Sequence, residues 1–175
     1  MVMDELGLAY DVISPDIDEK AIREADPEKL VLAIAHAKAD AVSAQVKEPS
    51  IVIASDQVVV WNGQIREKPV SKEQAREFIK SYGKQPATII NGMVVTNTKT
   101  GKRAEGLCAM HIWYNPISDA DAASLAEYDG VMDCAGALRS ENPAMMQFMS
   151  KTDGSFDIAR GLPKKLLGKL LQEIK

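Results

Sequence analysis

A chain of 175 residues is long enough for one domain with a sizeable core, and the sequence shows no linker, repeat or low-complexity tract that would divide residues 1–175. With 46% hydrophobic and 26% charged residues it has the profile of a soluble globular protein, and a net charge of −4 argues against a broad nucleic-acid-binding surface while leaving room for a small nucleotide held by local Lys and Arg. No apolar run approaches membrane-spanning length, the start Met-Val-Met-Asp-Glu is no signal peptide, and Cys108 and Cys134 lack CxxC spacing and read as reduced thiols of a cytosolic protein.

Met1–Gly7 reads as the end of a helix, with Gly7 as its C-cap. Leu8–Ile13 alternates apolar and polar residues and predicts a strand. Ser14–Glu19 is a turn dense in carboxylates; taken alone, Asp16, Asp18 and Glu19 belong to a solvated loop. Asp26-Pro27 opens a helix as N-cap and first-turn proline, running to about Val46. Its expected apolar stripe is Leu30, Ile34, Ala37 and Ala41, with His36 and Lys38 on other faces.

Ile51–Val60 is a β-branched apolar run, so it predicts a buried strand. Asp56 interrupts it. A carboxylate in such a run is expensive to bury unless it is paired, hydrogen-bonded or bound to a metal. Asp56 is therefore either a structural acceptor of backbone N–H groups or the first candidate for chemistry. Asn62-Gly63 between two strand-like runs signals a hairpin, whose return strand ends in Arg66-Glu67-Lys68-Pro69 and can carry Lys68 back toward Asp56. An acid and a base at the end of a buried strand suit a metal–phosphate site.

Ser71-Lys72-Glu73-Gln74 is a capping box for a helix to Tyr82, stopped by Gly83, with Ala75, Phe78 and Ile79 facing inward. Ala87–Asn97 and Arg103–Tyr114 are strands joined by the turn Lys99-Thr100-Gly101-Lys102. Ser118 caps a short helix to Tyr128. Ala135-Gly136-Ala137 permits a close backbone approach, and Arg139 and Glu141 would share a face of any strand there. Asn142–Lys151 reads as a Met-rich packing helix, and Gly161-Leu162-Pro163 leads into a final helix with the stripe Leu166, Leu167, Leu170 and Ile174.

Several of these segments together resemble the Maf family, the septum-formation-inhibitor-like nucleotide pyrophosphatases. The resemblance runs from about Leu6 to the C-terminus. It rests on Ser-Pro-Asp-Ile-Asp-Glu at 14–19, Ser-Asp-Gln-Val at 55–58, Lys68-Pro69, Cys134-Ala135-Gly136 followed by Arg139-Ser140-Glu141, and Gly161-Leu162-Pro163. Gln57 after the Asp, and the C-A-G…basic-S-E segment, are closest to the 7-methyl-GTP subgroup. Members directed at dTTP and UTP carry an Ile-Gln-Gly segment in place of the latter. Family members begin with a strand and an S-x-S-x-x-R-R loop, whereas this chain starts inside the helix that ends at Leu6-Gly7, so the expectation is an N-terminally truncated member lacking the first strand.

The resemblance implies an α/β fold: an elongated, two-lobed Maf/ITPase-like structure with a mixed central sheet flanked by helices. It implies hydrolysis of a nucleoside triphosphate to monophosphate and pyrophosphate, aided by Mg²⁺ or Mn²⁺. Asp56 would be the catalytic carboxylate and, with Glu19, a metal ligand. Lys68, Lys38, Glu141 and Gln57 would bind substrate. The partner is a free nucleotide in the cytoplasm, with no nucleic acid polymer and no membrane; a homodimer is left open. Two alternatives stand beside this one: a catalytically impaired remnant that binds nucleotide or protein, and a dTTP/UTP-directed member.

Overall fold

The computed structural model describes residues 2–175. Five strands, β1 (Ile51–Trp61), β2 (Gln64–Arg66), β3 (Ala87–Asn97), β4 (Arg103–Tyr114) and β5 (Met149–Thr152), form one sheet in the order β2-β1-β3-β4-β5. β1 runs antiparallel to β2, with Trp61 opposite Gln64, and β4 antiparallel to β5, with Trp113 opposite Lys151. The helices are α1 (Val2–Glu5), α2 (Pro27–Gln45), α3 (Lys72–Tyr82), α4 (Asp119–Ala126), α5 (Pro143–Met146), α6 (Phe156–Ala159) and α7 (Lys164–Glu173). This is the expected α/β architecture of a central sheet flanked by helices. The chain forms two compact units: one holds the chain to Gln57 with Ile90–Cys108 and Arg160–Lys175, the other Val58–Ile89 with Ala109–Ala159.

In the first unit α2 begins where the sequence expects. Asp26 Oδ1 accepts from the N–H of Glu28 at 2.9 Å and of Lys29 at 3.4 Å, satisfying donors that the first turn leaves orphaned. The buried face is Leu30, Val31, Ile34, Ala35 and Ala39, so the expected stripe is rotated: Ala37 and Ala41 are only half-buried. The reason is small-residue packing. Ala35 and Ala39 cluster with Ala54 and Val94, and a Cβ at Gly92 would lie 2.8 Å from the Val31 carbonyl carbon. The helix backbone therefore rests directly on β3. α7 lays Leu167, Leu170 and Ile174 against Met93, Val95 and Ala104, as its stripe requires. Gly7 ends α1 with φ +64°, the left-handed cap expected of it.

Leu8–Ile13 is the first correction: it is not a strand. Val12 is 76% exposed. Alternation makes a strand only where a neighbouring edge supplies the ladder, and this segment joins none. It instead borders an apolar groove of about 670 Å³ shared with Val42, Val46, Ile51 and Leu171.

In the second unit Asn62 (φ +50°) and Gly63 (φ +74°) make the hairpin turn with both central residues left-handed, the twist that a two-residue loop needs. Ser71 Oγ accepts from Gln74 N–H at 3.2 Å, and Gln74 Oε1 accepts from Val70 N–H at 2.8 Å, closing the expected capping box one residue earlier. Gly83 stops α3 in a right-handed conformation; it is small because a Cβ would lie 2.9 Å from the backbone of Pro116 and Ile117. Ala75, Ile79, Tyr82, Ile112, Leu125 and Met145 are among the buried residues of this core.

Two further corrections fall here. The Met-rich helix is only four residues long, and Met149–Thr152 leaves it to pair with β4 as β5. The open edge of β4 wins over local helix propensity. Asp133–Glu141 holds no strand, only a single turn over Ala135–Ala137 with Gly136 at φ +62° and Ala137 at φ +53°. The chain then turns at Ser140 and Glu141, so the strand alternation that would put Arg139 and Glu141 on one face does not occur.

Candidate active site

Asp56 reaches its position through strand periodicity. Val52, Ala54, Asp56 and Val58 share one face of β1, and Ala54 packs against Ala35 and Ala39 of α2. Lys38 is the helix neighbour of Ala39. Its Nζ donates to Asp56 Oδ1 at 2.8 Å and lies 3.0 Å from Glu19 Oε1. Glu19 opens a single turn, Glu19–Ala21, fixed by Asp18, whose carboxylate accepts from Lys20 N–H at 3.1 Å. Asp18 is thus a cap. Three residues far apart in sequence form one charged cluster, with Asp56 and Lys38 side chains only 12% and 17% exposed and Glu19 49% exposed.

Burial pushes the Asp56 carboxyl above the usual range, and the neighbouring Glu19 charge adds to this. The hydrogen bond and charge of Lys38, with a bond from the Gln57 N–H, hold the rise in check. For Lys38, burial works against the ammonium, but its hydrogen bonds and charge attraction to Asp56 and Glu19 carry its pKa above the ordinary value. The cluster therefore keeps a charged lysine beside a carboxylate that is more basic than a solvent-exposed one. That pairing can orient a phosphate and take a proton from water.

Among the described residues no group of three or more His, Cys, Asp or Glu side chains is placed to hold a metal ion. The donor chemistry still fits a hard divalent cation. Lys38 engages Oδ1 of Asp56 and Oε1 of Glu19, and two carboxylates suffice for a Mg²⁺ that keeps waters and phosphate oxygens as its other ligands.

The Gln57 N–H contacts Asp56, while its side chain alternates to the opposite face of β1, with Oε1 3.7 Å from where a Cβ would sit on Gly161. Lys68 and Glu141 belong to the second unit and are exposed. Within that unit the charge of Lys68 acts on Cys134. Burial raises the pKa of that half-buried thiol, while the charges of Arg139 and Lys68 lower it. The Gly136 N–H donates to Glu67 O at 2.9 Å, stitching the segment after β2 to the Cys134–Glu141 segment. Sequence reasoning missed Arg66. It is 9% exposed, with Cζ 4.2, 4.5 and 5.0 Å from the ring centroids of Trp61, Phe78 and Tyr82. The one sequence signal was a basic residue on the short return strand beside Trp61.

Several named proteins resemble this chain over most of its length. A protein from Dictyostelium discoideum named 7-methyl-GTP pyrophosphatase is 40% identical over 99% of this chain and 90% of its own length. One of the same name from Idiomarina loihiensis is 32% identical over 93% of the chain and 82% of its own length. A dTTP/UTP pyrophosphatase from Alkaliphilus metalliredigens is 28% identical over 98% of the chain and 88% of its own. Residues 1–174 match the family model described as Maf-like protein, and the chain belongs to that family.

Proposed function

We propose that this chain hydrolyses a nucleoside triphosphate, 7-methyl-GTP foremost, to the monophosphate and pyrophosphate. The observation that carries the reading is the Lys38–Asp56–Glu19 cluster, a nearly buried acid–base pair with a third carboxylate at its edge. In this reading Asp56 accepts the proton of the attacking water, which its raised pKa favours. Lys38 offers its ammonium to a phosphate oxygen as charge builds there, and stays protonated because its own pKa is raised. Glu19 shares Lys38 and so holds its ammonium at the mouth of the cluster. A Mg²⁺ or Mn²⁺ held by Asp56 and Glu19 would neutralise triphosphate charge. Lys68, Glu141 and Gln57 keep their assignment to substrate binding from their motif positions.

The preference for a modified purine is supported by the names of the relatives that are 40% and 32% identical, and by the Cys134-Ala135-Gly136…Arg139-Ser140-Glu141 segment. The dTTP/UTP-named relatives, at 28% and 27% identity, support a pyrimidine substrate as the second reading. The substrate is a free nucleotide and the setting the cytoplasm. Among the described residues no helix is long and apolar enough to cross a membrane.

Product analysis tests the reaction. With 7-methyl-GTP and Mg²⁺, the expected products are 7-methyl-GMP and pyrophosphate in equal amounts. Formation of the diphosphate and inorganic phosphate would refute the proposed cleavage.

A further inference from the structure

Arg66 is a nearly buried cation with no acidic partner among its described contacts. Three aromatic rings surround it, and its Nη1 donates to Phe78 O at 3.1 Å and to Ser81 Oγ at 2.7 Å. Such a group needs a reason, since removing a guanidinium from water is costly. One of the three rings does something specific. The Tyr82 hydroxyl donates to Gly136 O at 2.7 Å, and the Gly136 N–H donates to Glu67 O at 2.9 Å. Both backbone polar groups of Gly136 are therefore engaged from outside its own loop. The residue sits at φ +62°, and a Cβ there would run into the Tyr82 hydroxyl and Val59. Burial and proximity leave Tyr82 a donor across the working range: its pKa is raised by burial to about 12, with Arg66 opposing the rise.

We propose that Arg66 and Tyr82 are positioning residues: Arg66, caged by Trp61, Phe78 and Tyr82, fixes the tyrosine whose hydroxyl holds Gly136, and so sets the Cys134–Glu141 segment against Lys68. The cage belongs to rigid elements: Trp61 ends β1, Arg66 ends β2, and Phe78, Ser81 and Tyr82 lie on α3. The held segment is a loop with two left-handed residues, which needs outside support to keep one conformation. The claim that this matters for turnover rests on the reading above that Lys68 and the Cys134–Glu141 segment meet the nucleotide.

The test uses the full chain and four variants: Tyr82→Phe, Arg66→Met, Arg66→Lys and Lys68→Ala. Thermal melting first establishes that each is folded. Tyr82→Phe removes one hydroxyl and is the decisive variant. Two readouts follow. The first is the rate of Cys134 alkylation by N-ethylmaleimide, resolved from Cys108 by peptide mass. The second is steady-state cleavage of 7-methyl-GTP. In Tyr82→Phe, Cys134 should react about tenfold faster, the ratio that loss of one buried hydrogen bond corresponds to. Cys108 should be unchanged. KM should rise by a similar factor with kcat within about twofold, since ground-state and transition-state binding are lost together. Arg66→Met should show the same signature, and Arg66→Lys should restore part of it, because the cation stays in the cage while the fork to Phe78 and Ser81 is lost.

An unchanged Cys134 rate in folded Tyr82→Phe overturns the proposal. A faster Cys134 with unchanged KM also overturns it as a device for turnover, provided Lys68→Ala raises KM. If Lys68→Ala leaves KM untouched, it is the substrate-contact reading that fails, and the positioning claim then stands or falls on the Cys134 rate.

Discussion

Replacing Lys38 by Met removes the cation that keeps Asp56 ionised while leaving an aliphatic stem of similar length. The Nζ–Oδ1 separation of 2.8 Å corresponds to an attraction of about 6 kcal/mol at an effective dielectric of about 20. Both partners pay desolvation against that, and the second contact, to half-exposed Glu19, is largely screened. Breaking a buried pair from one side leaves a net loss of about 3 kcal/mol at neutral pH. The loss has a definite pH dependence. Without Lys38, burial and the Glu19 charge are opposed only by the Gln57 N–H, so the folded pKa of Asp56 moves further above the unfolded value. A carboxyl with a raised folded pKa favours the native state at low pH, and that contribution fades as pH rises through the folded pKa. Lys38→Met should therefore regain stability on acidification, by at most about 1.4 kcal/mol per pH unit for one proton.

Urea denaturation of wild type and variant between about pH 5 and 8 measures this directly. The two should converge as pH falls. The acid limb of kcat/KM should also move to higher pH in the variant, since the base is then protonated over more of the range. A variant whose deficit is constant with pH, and whose acid limb does not move, would refute the assignment of Lys38 as the group that sets Asp56.

Asp56→Asn keeps the shape of the side chain and removes its charge; kcat should fall at least about a hundredfold in steady-state assays, with a folded far-UV spectrum. Gly92→Ala places a methyl 2.8–2.9 Å from the backbone of Val31 and Leu32, which must shift α2; about 1–3 kcal/mol of stability should be lost in urea titrations, and turnover should fall as Lys38 moves with the helix. Leu167→Ala opens a cavity under α7 where the side chain is 1% exposed, and should cost about 2–5 kcal/mol with kcat/KM preserved at a temperature where the variant is folded. Chelation of divalent cations should end turnover without unfolding, as followed by pyrophosphate release and circular dichroism in parallel.

The parts of the fold that sequence patterning reveals are those whose signals are local. β3, β4 and their turn, the N-cap Asp26 with Pro27, the Ser71 cap and the Asn62-Gly63 hairpin all depend on neighbours within a few residues, and each forms where expected. Leu8–Ile13 and β5 are decided elsewhere. The first has strand periodicity but no ladder, and the second has helix-like composition but lies along the edge of β4. The rotated face of α2 depends on Gly92, which lies on a strand more than fifty residues away.

The candidate site divides the same way. Asp56 stands out because a carboxylate interrupts an apolar run. Nothing local marks Lys38 or Glu19, which came from the family resemblance and which the structure brings to 2.8 and 3.0 Å contacts in one cluster. Arg66 had almost no signal. Its cage is built by β1, β2 and α3 together, and a lone arginine on a three-residue strand looks like a solvated charge until those rings are in place.

In the proposed function, the Lys38–Asp56–Glu19 cluster splits pyrophosphate from a nucleotide of the 7-methyl-GTP kind. The most direct measurement is pyrophosphate release by the purified chain with 7-methyl-GTP, GTP, UTP and dTTP, each with Mg²⁺ or Mn²⁺, with Asp56→Asn alongside. The highest kcat/KM should be for 7-methyl-GTP, and it should be lost in the variant. Turnover that survives in Asp56→Asn, or a folded wild-type chain that releases no pyrophosphate from any of the four, would contradict that function.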